Sequence, residues 1–205
     1  SMTEKKSTRA LNKQSRHQAI LEALATQLEL HPGQRITTAQ LAESLEVSEA
    51  ALYRHFPSKA RMFEGLIEFS EDTVFGLIRR ILDEDDNAVS RCEKIMALIL
   101  GFSAKNPGIS SVLVGTALTG ETERLRQRVS QFFDRLETQF RQILRERELT
   151  LTQAGGRPVN ETANLLLSIV EGRLQQFVRS GFRQSPLQGW EQQWQLINPI
   201  LRTYA

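Results

Sequence analysis

The sequence predicts an all-α fold, and three observations carry that reading. Apolar residues recur at spacings of three and four along most of the chain. No segment alternates with a period of two while enriched in β-branched residues. Hydroxyl and amide residues stand just ahead of several periodic segments, where a helix start needs side-chain acceptors.

The elements follow in order. Lys5, Lys6, Arg9, Lys13 and Arg16 face only Glu4 and few apolar residues, so residues 1–14 read as a flexible basic arm. Ile20, Leu21, Leu24, Ala25 and Leu28 mark one face of a first helix, ended by His31-Pro32-Gly33. Thr37-Thr38 cap a short second helix reaching about residue 45. Ser48 caps a third over 49–55, stopped by Pro57. A fourth helix over 58–82 starts at Ser58 and buries Phe63, Leu66, Ile67, Val74, Leu77, Ile78 and Ile81.

The acidic run at 83–86 reads as a solvated loop before a fifth helix over 89–105, which Asn106-Pro107-Gly108 closes. A short apolar piece at 112–118 breaks near Gly120. The longest helix spans 121–148, with Leu125, Val129, Phe132, Leu136, Phe140, Ile143 and Leu144 on one side. Its arginines, among them Arg124, Arg128, Arg135, Arg141 and Arg145, alternate with glutamates as on an exposed, ion-paired face. A linker holding Gly155-Gly156 and Pro158 leads to Asn160, the expected cap of a helix reaching about residue 180. A last helix runs over 189–202.

Composition narrows the function classes. The chain has 205 residues, 40% of them hydrophobic and 24% charged, with 12 Gly and 6 Pro, which excludes collagen-like, disordered and disulfide-dense proteins. The apolar run at 95–102 is too short to cross a bilayer. A single cysteine, Cys92, excludes an internal disulfide framework and fits a reducing cytosol. Ser1-Met2 reads as an expression scar, and no apolar signal region follows it. The net charge of +2 divides unevenly: residues 1–61 carry nine Lys/Arg against six Asp/Glu, and 62–205 carry seventeen against eighteen.

Catalysis finds no foothold. His17, His31 and His55 match no metal spacing. Gly115 to Gly120 has the glycine spacing of a phosphate loop, but Glu121 stands where its lysine is needed, and a carboxylate repels phosphate. Residues 83–86 lack the alternating ligands and central glycine of a calcium loop. Cys92 lies among Ile95, Met96 and Ile99 at helical spacing, as a core thiol does. We therefore assign no catalytic residue, metal site or cofactor, and the enzyme class drops out.

The informative segment is 37–59. It holds two capped helices joined by a tight turn, with Leu41, Ala42, Leu45, Val47, Leu52 and Phe56 as the seam between them. A seven-residue helix is too short to stand alone and must be held by its neighbours. With the seam buried, Glu49, Ala50, Tyr53 and Arg54 project outward, as in a helix that enters a DNA major groove. On this reading Thr37, Thr38, Ser48 and Lys59 position the DNA backbone, with Tyr53 and His55 on phosphate as well. Ala50 and Ala51 are small enough for close approach and for contact with a thymine methyl. Arg54 meets guanine or phosphate, or makes a surface ion pair; Glu49 meets cytosine or serves the helix dipole. An αα corner without a DNA role is the plainer alternative.

The string Ala51-Leu52-Tyr53-Arg54-His55-Phe56-Pro57-Ser58-Lys59, preceded by Val47-Ser48, resembles the signature of the TetR family of DNA-binding regulators. Residues 35–39, 66–69, 106–108, 142–147 and 177–180 are similar to the nucleoid-occlusion members of that family. The resemblance implies a three-helix helix-turn-helix domain at 15–61, linked through helix 58–82 to a helical dimerisation and effector domain at 62–205. It implies a homodimer on palindromic double-stranded DNA, in the cytoplasm and associated with the nucleoid. It also implies binding of the cell-division GTPase FtsZ, at a surface that Phe69, Leu98, Gly101 and Asn106 match. Glu46 stands where the family usually has glycine, Leu77 where those members have arginine, and 116–120 replaces a more apolar stretch. Leu174, Phe177, Trp190, Trp194 and Ile197 are the candidate dimer contacts, the last three forming an apolar stripe. The alternative within the fold is a repressor whose ligand sits among Phe102, Val112, Leu118, Phe132 and Phe133, residues that equally suit a packed core.

Overall fold

The chain adopts helices wherever its described residues are regular. The computed structural model describes residues 2–151 and 157–205, with the backbone alone for 3–11. The expected Gly155-Gly156 linker lies outside them. In order come α1 (Met2–Leu30), α2 (Thr38–Ser44), α3 (Glu49–His55), α4 (Lys59–Glu84), α5 (Ala88–Lys105), α6 (Pro107–Leu113), α7 (Glu123–Thr150), α8 (Val159–Arg179) and α9 (Trp190–Ile197). Short 3₁₀ segments follow α6 at Thr116–Leu118 and α9 at Asn198–Tyr204.

The boundaries differ from the sequence reading in several places, four of them for a plain physical reason. The arm expected at 1–14 is helical from Met2, as the first turns of α1. Residues 2–14 hold no glycine or proline, so a helix nucleated by the packed stretch after Ile20 propagates through them at little cost. Asn106-Pro107-Gly108 closes α5 and also opens α6, because Pro107 at the first helical position lacks only an N–H that would be unpaired there. The short helix therefore falls at Pro107–Leu113 rather than 112–118. Pro158, not Asn160, stands at the cap of α8, where the Thr162 hydroxyl donates to its carbonyl at 2.7 Å. Pro199 ends the final α-helix early, and the chain tightens into 3₁₀ geometry.

The acidic run is exposed at Asp83, Glu84 and Asp86, but only its second half is a loop. Asp83 and Glu84 continue α4, and the Asp85 carboxylate accepts from the Asn87 amide at 2.9 Å, the Ser90 hydroxyl and Lys94 Nζ at 2.8 Å. From the other side Arg91 donates to the carbonyls of Leu82, at 2.8 Å, and Asp85. The end of α4 and the start of α5 are thus cross-capped by opposite charges.

A single buried cluster runs from Ile20 to Tyr204. Helix α1 packs on α4 and α6, while α7 and α8 pack on each other and on α5. Gly108 permits the α1–α6 approach, since a Cβ there would sit on the Ala25 carbonyl. Arg173 on α8 donates to the carbonyls of Ser185, Pro186 and Gln188, folding the last segment back onto the body.

That return corrects the expected dimer contacts. Leu174, Phe177, Trp190, Trp194 and Ile197 are all buried inside the single chain, Leu174 with no exposed surface. The tryptophan stripe faces the chain's own core, and α8 leaves outward the apolar Leu165 and, partly, Ile169 and Val178.

Candidate nucleic-acid interface

Backbone closure sets the geometry of α2 and α3. Thr37 forms a capping box: its hydroxyl accepts from the Gln40 amide at 3.1 Å, and Gln40 Oε1 accepts from the Thr37 amide at 3.0 Å. At the far end the Glu46 amide donates to Glu43 and the Val47 amide to Ala42, both at 3.0 Å. This is a Schellman closure, and it puts Glu46 at φ 56° in the left-handed region, at a cost on the order of 1 kcal/mol beside glycine. Ser48 then caps α3 by accepting from the Ala51 amide at 3.1 Å. Leu41, Ala42, Leu52 and Phe56 are buried in the seam, beside Ile20 and Leu24 of α1.

Polar side chains lock the two short helices across the turn. Tyr53 Oη donates to Thr38 Oγ1 at 3.1 Å, and Thr38 Oγ1 donates to Glu49 Oε2 at 3.1 Å. Glu49 lies in the first turn of α3, where the helix dipole favours its charge. Ala50, Tyr53 and Arg54 project to solvent, and Arg54 makes no ion pair among the described residues. Sequence reasoning named these residues but missed the network, whose members lie 11 and 15 positions apart.

Two expected DNA contacts turn elsewhere. Ala51 and His55 line a groove with Arg16, Ala19 and Ile20, on the side of α3 that faces α1. The His55 ring meets His17 edge-on at 5.2 Å, and His17 in turn lies 4.7 Å from Phe56. Burial, then the neighbouring His55 and Lys13, hold the His17 imidazole below its ordinary pKa. A charge on His17 is thereby disfavoured. Lys59 also points away from open solvent: its Nζ is 3.4 Å from Glu121 and 5.7 Å from the centre of the Phe63 ring. Arg16 on α1, at the rim beside α3, was overlooked because it was counted with the arm.

The second candidate surface is brought together in part. Phe69 and Asn106 line one groove of about 540 Å³ with Gln14, Leu21, Glu68 and Ile109. Phe69 is 43% exposed, and Asn106 Nδ2 donates to the Phe102 carbonyl at 2.8 Å. Leu98 and Gly101 are partly exposed on α5 but do not line that groove.

Comparison with known proteins agrees with this geometry. Residues 20–66 match the family described as "Bacterial regulatory proteins, tetR family". Residues 86–202 match "Tetracyclin repressor-like, C-terminal domain". The chain is 54% identical to the nucleoid occlusion factor SlmA of Shewanella amazonensis, over 94% of this chain and 98% of that protein. It is 52% identical to the SlmA of Alteromonas mediterranea, over 90% of this chain and 95% of that protein. Among solved structures, the fatty acid degradation regulator FadR of Bacillus halodurans superposes with a TM-score of 0.76 at 13% identity, covering 91% of this chain and 96% of that one. The TetR family regulator PfmR of Thermus thermophilus gives 0.69 at 20% identity, covering 88% and 97%. These two likenesses speak for the fold alone.

Proposed function

Because this chain belongs to the TetR family, in the branch of the SlmA nucleoid occlusion factors, we propose that it binds palindromic chromosomal DNA as a homodimer and antagonises FtsZ assembly over the nucleoid. The observation that carries the DNA half is the outward face of α3, where Ala50, Tyr53 and Arg54 stand on a helix capped by Ser48 and clamped to α2. The absence of bulk at Ala50 admits the helix deep into a major groove, and Arg54 reads guanine or grips phosphate there. Thr37, Thr38, Ser48, Tyr53 and Lys59 lie at the rim and position the backbone. Ala51 and His55 act from behind, holding α3 against α1.

The outer face of α8, with Leu165 and Ile169, receives the second copy. Dimerisation then presents twice a basic head in which Lys/Arg outnumber Asp/Glu by nine to six. The groove at Phe69 and Asn106, with Leu98 and Gly101 near by on α5, is the FtsZ surface of this reading.

Packing speaks against a ligand-responsive repressor. Phe102, Val112 and Phe132 are buried in the core, Phe132 against Phe75 at 5.6 Å and Phe133 at 5.3 Å. Leu118 and Phe133 reach a concavity of about 720 Å³, but it is open and rimmed by Arg126, Asp134, Glu137 and Glu171. A ligand site of the usual kind is enclosed and mainly apolar.

Co-sedimentation of FtsZ with the DNA-loaded protein tests the proposal. Loss of polymer from the pellet is expected. Unchanged polymer, with binding mapped to one or two promoters, would overturn occlusion in favour of local repression.

A further inference from the structure

The motif at 115–121 is left over from the sequence reading, and the fold gives it a place. Gly115 and Gly120 have φ of 88° and 82°, so both turn through the left-handed region open to glycine. Between them lies the 3₁₀ turn Thr116–Leu118, closed by the Glu121 amide on the Leu118 carbonyl at 2.9 Å. This loop delivers the Glu121 carboxylate to within 3.4 Å of Lys59 Nζ, with the two side chains only 15% and 20% exposed. The Phe63 ring backs the ammonium. Lys59 is the first residue of α4, next to the reading helix, whereas Glu121 belongs to the body just ahead of α7.

Among the described residues the ammonium so held has Glu121 as its anionic partner, and a DNA phosphate asks for the same atom. We propose that Glu121 is a positioning residue that occupies Lys59 in the DNA-free protein as a built-in substitute for phosphate. DNA must displace it, and displacement frees the 115–122 loop at the foot of α7. The loop that cannot bind phosphate itself thus sets how readily the reading head does. This rests on the reading of Lys59 as a phosphate contact. Because the pair is largely shielded, salt screens it less than an open surface pair, but still weakens it.

The test is DNA affinity of the full chain, measured by fluorescence anisotropy on a duplex selected from a random pool by the unaltered protein. Lys59→Met is expected to weaken binding. Glu121→Gln is expected to tighten it by about two- to fivefold per reading head, and the gain should fade as salt rises. In the Lys59→Met background Glu121→Gln should change nothing. Glu123→Gln, which removes an equal charge from an exposed side chain two residues on, should also be silent. If Lys59→Met binds normally, the Lys59 reading falls and this inference with it. Where Lys59→Met weakens binding but Glu121→Gln does not tighten it, the inference alone falls. A gain that persists without Lys59, or that Glu123→Gln reproduces, is a general charge effect and also overturns it. Amide exchange on the unaltered protein needs no variant: exchange at 115–122 rises when the duplex is added, and unchanged exchange refutes the displacement.

Discussion

Glu46 shows how much a single residue can say. Its place in the turn was visible from the spacing of the caps, and the structure adds the left-handed φ of 56° and the paired closure on Glu43 and Ala42. The turn tolerates a side chain because Glu46 is exposed, so the cost is backbone strain without a clash. Glu46→Gly should relieve about 1 kcal/mol and raise the melting temperature by about 2–4 °C, read by thermal denaturation. A fall instead would mean that the flexibility glycine adds to the unfolded chain outweighs the relief. Phe182 has the same conformation at φ 66°, in the closure that ends α8, where its ring meets Phe177 at 5.3 Å. Nothing in the local sequence pointed to it, because Gly181 beside it looks sufficient to make the turn.

At the scale of elements, helices were legible wherever caps and apolar spacing agreed. Helix α3 was expected over 49–55 and is found there, and α2 and α5 differ from their expected ends by a residue or so. The corner between α4 and α5 was not legible. A run of four acids usually lies in water, and the partners of Asp85 sit in the following helix, up to nine residues on. The hydrogen bond from Lys94, then those from Ser90 and the Asn87 amide, pull the Asp85 carboxyl down to about 2. A group with a depressed folded pKa stabilises fully above its ordinary value near 4 and loses that contribution as pH falls through about 2. Lys94 is 53% exposed, so solvent screening limits the contribution to about 1 kcal/mol. Asp85→Asn should therefore cost about that much in urea unfolding at pH 7. The gap from the unaltered protein should narrow steadily between pH 4 and pH 2, and a gap independent of pH would refute the assignment.

Across the whole molecule, the reading head and the body share one core, a fact the sequence conveyed only as a long fourth helix. The motif Asn106-Pro107-Gly108 marked a likeness, but its physical task appears only in three dimensions. Pro107 starts α6, and Gly108 lets α6 lie against the backbone of α1 at Ala25. Gly108→Ala should force the two helices apart at a cost of about 1–3 kcal/mol, lowering the melting temperature and the DNA affinity together. Unchanged stability would mean that the α1–α6 contact does not tie the head to the body. The dimer stripe failed as a sequence reading for a related reason. An amphipathic helix announces that one face is buried, but not whether its own chain or another covers it. Here the three bonds from Arg173 fold the tryptophans inward.

Cys92 has 0% exposure, and burial pushes its thiol up to about 12. At neutral pH the thiol then stays protonated, so a maleimide finds neither access nor nucleophile. A cysteine placed at any exposed position would be the sole reactive thiol without first replacing the native one. A spin label at Glu29→Cys, exposed on α1 and outside the α2–α3 clamp, in each copy of the proposed dimer would turn the separation of two reading heads into a ruler measurement, with and without DNA.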